Sequence, residues 1–380
     1  MADRSDTRFR RDRLTWLAYL MLAWFAYLQA APGLVIVHLR DELDLSYSTG
    51  GLHVAAFAAG SLVAGIISAR LERAIGRRTL FWSSAALMGT GTVGLTVGRV
   101  APTVADHHGA RRAVALTEAN VAASIAYVVL IGLLSLTAAL QVGWRAALLV
   151  APVVLVLAWW TNRRLAIDAP PPSTVEHDRL PGVFWIAATM LFCMVAAEWC
   201  ITAWGASFVA DAAGVSADTA VGLMAGFFGG VVTGRAIGSR LTRRHDPERL
   251  LALALAVTAA GFAVLWPSMG PVQALVGLSL LGIGLGNLFP MGLAVTVALA
   301  PGRAALASAR AVGATSFAVL LAPLTVGSLA DATSLKAALG VVPVTLALAA
   351  GGLTLVRRGG IRAGDAADVA SVALARRGAQ

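Results

Sequence analysis

Apolar residues in this chain fall into long runs separated by short polar loops. Runs occupy about 14–37, 51–69, 79–97, 119–140 and 146–160. Six more follow near 183–209, 220–237, 250–266, 272–299, 311–330 and 337–356. A helix needs roughly 20 residues to cross the hydrocarbon core, so the pattern predicts about eleven membrane-crossing helices. The first run is too long for a cleavable signal peptide and lacks a small-residue cleavage site, so it reads as a retained span. Between the fifth and sixth runs lies a charged stretch with Pro170, Pro171 and Pro172. Such a segment cannot stay in hydrocarbon and reads as a connector. The organisation predicted is a helical bundle over 1–161, a cytoplasmic linker over 162–180, a six-helix bundle over 181–360 and a disordered tail over 361–380.

Composition supports the same class. The chain is 58% hydrophobic and only 13% charged, with a mean hydropathy of +0.76. Soluble domains carry about a quarter charged residues, so one very large soluble core is a poor account. The net charge of +10 could suggest nucleic acid. Its placement points instead to a lipid bilayer: Lys336 is the only lysine, and the arginines sit in blocks between apolar runs, with no basic stripe of interleaved aromatics. Arginine resists translocation and favours the cytoplasmic, anionic face. The N-terminus, the Arg70–Arg78 loop, Arg163–Arg164, Arg240–Arg249, Arg303 and Arg357–Arg358 are therefore expected inside, with both termini cytoplasmic in a plasma membrane. Cys193 and Cys200 share one run about 10.5 Å apart along a helix, too far for a disulfide.

The two halves overlay on each other. At an offset of 170, Asp41 falls on Asp211, Ser46 on Ser216, Gly60 on Gly230, and Arg70 and Arg73 on Arg240 and Arg243. At an offset of 191, Arg112 falls on Arg303, Arg145 on Lys336, and Ala146–Leu148 on Ala337–Leu339. Tandem helical units are the organisation of parallel-repeat transporters. The offsets differ by 21 residues, about one crossing. The first copy is thus one helix short, at the fourth of six. A single crossing at 79–97 would invert every later basic loop. Either 79–104 is no ordinary span, or the chain is a deletion variant with impaired folding.

The stretch from Gly65 to Arg78 resembles the loop between helices two and three of the major facilitator superfamily. Gly65, Glu72, Arg73, Gly76, Arg77 and Arg78 stand in the motif's places, with Glu for the family's Asp and one extra residue before it. The stretch from Ala105 to Asn120 resembles the family's loop between helices four and five, as found in an actinobacterial-type group. The resemblance implies an all-α polytopic fold of two bundles with about 11 segments instead of 12. It also implies secondary transport of a small molecule by a monomer, with no cofactor and no enzymatic activity. Arg70, Glu72, Arg73, Arg77 and Arg78, with Asp106, Arg111, Arg112, Glu118 and Arg310 near cytoplasmic helix ends, would form the cytoplasmic gate.

Ionisable groups in hydrocarbon are functional candidates because leaving them there is costly. Glu198, mid-run and followed by Trp199 and Trp204, suits a proton carrier or a counter-ion; a packing carboxylate is the plain alternative. Asn287 sits among glycines beside Pro290, which frees a carbonyl and can bend the backbone beside a cavity. Arg235 and Asn120 complete the candidate substrate or proton pathway. Asp106, His107 and His108 are adjacent, which is no ligand set on a helix, so no metal is expected. The glycine-spaced Gly-Pro run of many drug/proton antiporters is absent from Tyr127 to Leu136, and no phosphate-binding loop occurs. Proton-coupled secondary transport, with efflux as one open direction, is the leading reading. A transport-inactive protein of the same fold is the alternative.

Overall fold

The computed structural model describes residues 12–97, 112–165, 179–242 and 244–358. Among these it is helical, with no strand. The helices are α1 (Arg13–Leu43), α2 (Tyr47–Ile75), α3 (Arg77–Val97), α4 (Arg112–Ala139) and α5 (Trp144–Asn162). They continue as α6 (Gly182–Ala213), α7 (Ala217–Leu241), α8 (Pro247–Leu265), α9 (Pro271–Ala298), α10 (Ala304–Ala332) and α11 (Leu335–Arg358), the last interrupted by a turn at 339–340. Nine of the described helices are long and apolar enough to cross a membrane; α2 and α3, with 29 and 21 residues, are not among them. Backbone groups have no water to bond in hydrocarbon, so each run closes its own ladder.

The internal repeat reappears as helix boundaries. The first pair of helices ends at Leu43 and Ala213, and the next pair opens at Tyr47 and Ala217, both 170 apart. At the first junction Asp44 and Gly214 both take left-handed backbone, with φ of 50° and 61°. At the second, Ser46 accepts from Thr49 N at 3.1 Å and Ser216 from Thr219 N at 3.3 Å. A serine at this position satisfies an orphan amide of the first turn. The matched serines of the sequence are therefore matched caps. At the 191 offset, α5 opens at Trp144 and α11 at Leu335.

Over 79–97 the chain is one unbroken helix, part of α3. Its threonines and glycines lower helix preference, yet an apolar setting leaves the backbone no other partner. Residues 98–111, where the offset changes, lie outside the described residues.

The chain divides into two compact units, each taking a piece from both sides of α1 and α2. Unit 1 comprises Met1–Val35 and Ala59–Ser173; unit 2 comprises Ile36–Ala58 and Thr174–Gln380. In unit 1, α1 is fastened to α5 by two buried side chains: Trp24 Nε1 donates to Ala151 O at 2.8 Å and Tyr27 Oη to Ala147 O at 2.6 Å. Arg163 lies over the Trp160 ring at 4.3 Å, an anchor of the kind found at the membrane surface.

Unit 2 is held by close helix crossings. A Cβ placed on Gly286 would stand 2.6 Å from Val231 O, and one on Gly277 2.7 Å from Leu265 Cα. Small residues let backbones approach where no hydrophobic drive separates helix from lipid. This brings α9 against both α7 and α8. Phe184, Ala188 and Leu191 of α6 pack with Ala300, Ala307 and Ala311 near and on α10.

Candidate functional site

Glu198 is half-buried near the middle of α6, which has 32 residues. Arg235, on α7, acts electrostatically on its carboxylate. The guanidinium is also tied to α9, with Nε donating to Gly286 O at 3.3 Å. The reason lies four residues on: Pro290 has no N–H, so the Gly286 carbonyl has no ordinary helical partner. Next to it, Asn287 is buried and its Nδ2 donates to Gly234 O at 2.8 Å and to Ile283 O at 3.2 Å. Arg235 and Asn287 thus meet at the crossing of α7 and α9, with the Glu198 carboxylate of α6 within the electrostatic reach of Arg235. Asn287 spends its donors on helix carbonyls, stitching α9 to α7.

Trp199 and Trp204 are both buried. Trp204 belongs to a different feature. Its Nε1 donates to Pro323 O at 3.0 Å, and its ring meets Tyr47 edge-on at 5.6 Å between centroids. Tyr47 opens α2 and is held on several sides. Its Oη donates to Asp211 at 2.9 Å, while its N–H and that of Ser48 donate to the two Asp331 oxygens at 2.7 and 2.8 Å. Arg40 lies 3.4 Å above its ring, and His38 Nε2 lies 2.9 Å from Asp218. Nothing local in the sequence marks Tyr47 or His38 for these contacts. The repeated Asp41 and Asp211 marked the right loops, though Asp211 is the copy that bonds Tyr47.

In the α2–α3 loop, Gly76 has φ of 77° and its N–H returns to Glu72 O at 2.9 Å. Glycine reaches that region without steric cost, as the motif required. Arg70, Arg73 and Arg78 are exposed there, and Glu72 and Arg77 half-buried; Gly65 lies within α2. Arg310 is exposed on α10. Arg112, Glu118 and Asn120 lie on α4, with only their backbone described. Asp106 and Arg111, and with them His107 and His108, fall outside the described residues. Among those described, no three His, Cys, Asp or Glu side chains gather as a metal site.

No family profile and no curated protein matches the chain. Solved structures do. A bacterial homologue of the human lysosomal transporter Spinster, inward-facing and occupied, superposes with a TM-score of 0.68 at 14% identity, covering 92% of this chain and 98% of its own. The nucleoside transporter NupG gives 0.69 at 9% identity, over 91% and 98%. The Escherichia coli fucose:proton symporter FucP gives 0.57 at 14% identity, over 90% and 99%. The fold is of the major-facilitator type. At such identities the likeness is one of fold. A major-facilitator-type fold with buried polar groups in unit 2 gives Glu198 and Arg235 a setting in which charge is costly and therefore informative.

Proposed function

We propose that this chain is a proton-coupled secondary transporter of a small molecule, working by alternating access in the plasma membrane as a monomer with both termini cytoplasmic. The observation that carries this reading is Glu198: a carboxylate midway along an apolar helix, under the charge of Arg235, inside a major-facilitator-type fold. A half-buried acid within reach of a cation's charge can be ionised and paired or protonated and unpaired. Switching between them changes what Arg235 attracts, which couples a proton to the conformation of α6 and α7. The bundles over 1–161 and 181–360, joined by the linker over 162–180, would supply the two moving parts. The loop from Gly65 to Arg78, with Asp106, Arg111, Arg112, Glu118 and Arg310, would gate the cytoplasmic side. The stretch from Ala105 to Asn120 supports placing the chain in the actinobacterial-type group.

Proteoliposomes holding a pH-sensitive dye test this. Compounds are added outside, beginning with hexoses and nucleosides, the classes named for two of the structural neighbours. The expected result is substrate-dependent proton movement in the wild type, abolished in Glu198→Gln at unchanged melting temperature. Equal proton movement in both proteins removes Glu198 from the role.

The 21-residue difference between the repeat offsets favours a second reading, a transport-inactive protein of the same fold. Substrate binding without flux, restored by inserting a helix after 97, would establish it.

A further inference from the structure

Between α8 and α11 unit 2 contains a groove of about 560 Å³. Its walls are mostly apolar: Ala252, Ala259 and Phe262 on one side, Pro343, Ala347 and Leu353 on the other, with Thr354 one turn from the charged end. Alanine rows usually let helices close on each other, yet here the space between them remains. The neighbouring positions Leu253, Val344 and Leu348 are more than half exposed, so this face meets the surroundings with apolar side chains. From Ala252 to Trp266 the lining runs about 21 Å along α8, longer than the roughly 15 Å of one hydrocarbon leaflet.

One end of the groove is charged. Arg357 lines it and pairs with Glu248 at 3.2 Å, both about one-third exposed. Arg357 Nη2 is shut from solvent and has no hydrogen-bond acceptor. Around this end Arg244, Arg249, Arg357 and Arg358 outnumber Asp246 and Glu248. A half-buried cation with an unused donor, at the head of an apolar trough, matches an amphiphile with an anionic head and a single long tail in the trough. An aqueous solute would need several polar groups along the walls, and apart from Thr354, close to the Arg357 end, the walls are aliphatic and aromatic.

We infer that the α8–α11 groove binds one acyl chain of an anionic phospholipid whose phosphate engages Arg357. The tail replaces space that would otherwise forfeit contacts. The phosphate supplies the acceptor missing at Nη2 and offsets the local positive charge. This site is separate from Glu198, so it stands or falls independently of proton coupling.

Native mass spectrometry of the full chain, released from neutral detergent after titration with phosphatidylglycerol or phosphatidylcholine of identical chains, tests the assignment. A single phosphatidylglycerol adduct is expected, about fivefold or more over phosphatidylcholine, the factor that one arginine near a charged head supplies. Arg357→Gln should bring phosphatidylglycerol down to the phosphatidylcholine level. Ala259→Phe and Ala347→Phe fill the groove from opposite walls and should each remove the adduct, whereas Leu348→Ala beside it should not. Melting temperatures show which filled variant is folded, and one suffices. Equal adducts for both lipids in the wild type, or an adduct surviving in a folded filled variant, overturns the inference. A dimer that the filled variants abolish overturns it in favour of a second copy of this chain.

Discussion

Arg235 Nε donates to the carbonyl of Gly286 at 3.3 Å, across from α7 to α9. The bond exists because Pro290 cannot serve that carbonyl. It holds a guanidinium in position while its charge remains felt by Glu198. One cation thus links the candidate proton carrier to the glycine-lined crossing of α7 and α9.

Charge and shape at this position should separate. Arg235→Gln is expected to lower substrate-dependent proton movement at least tenfold, a loss of about 1.4 kcal/mol or more. Arg235→Lys should keep part of it, because lysine retains the charge but not the planar donors. Dye-loaded proteoliposomes measure both; equal rates for Gln and Lys would mean that charge is irrelevant.

Pro290→Ala restores an N–H that can reach the Gly286 carbonyl. The variant should melt higher, since proline inside a helix costs it a hydrogen bond, while proton movement falls because Arg235 loses its acceptor. A lower melting temperature would show that Arg235 is a better partner for that carbonyl than the helix itself.

The glycine crossing is testable by contrast. Gly286→Leu should destabilise by about 1–3 kcal/mol, as overpacking does, because even its Cβ would stand 2.6 Å from Val231 O. Gly229→Ala, where a Cβ meets nothing within 4 Å, should change stability by about 0.5 kcal/mol or less. Thermal unfolding in detergent reads both.

Asp331 caps α2 from a distance of 284 residues in sequence, accepting from Tyr47 N and Ser48 N. Asp331→Ala should cost about 1 kcal/mol, as loss of an N-cap does, with Asp331→Asn losing less. A cysteine at Ser48 should react faster with a water-soluble maleimide in Asp331→Ala than in the parent. Identical labelling rates would show that Ser46 alone holds the first turn.

Much of the architecture could be read from runs of apolar residues. The run at 183–209 lies within α6 (Gly182–Ala213), and that at 272–299 follows α9 (Pro271–Ala298) to within a residue at each end. The repeat match marked Ser46 and Ser216, but their capping of the residue three positions on came from the structure. Pro290 announced a free carbonyl. What it could not announce was the recipient, since Arg235 lies on another helix 51 residues from Gly286.

The grouping of residues 36–58, the end of α1 and the start of α2, was least legible. Residues 36–58 cluster with unit 2, and Tyr47 among them meets Asp211, Asp331 and Trp204. No local pattern encodes such contacts; they depend on where α6 and α10 bring their ends.

The all-helical membrane class, the approximate course of the helices and the place of Glu198 within α6 followed from sequence, because each depends on hydropathy along the chain. Which cation acts on Glu198, which carbonyl Arg235 takes and which helices hold Tyr47 were decided by tertiary packing. Those pairings join residues from different helices, and only the close approach allowed by glycine brings a donor on α7 within reach of an acceptor on α9.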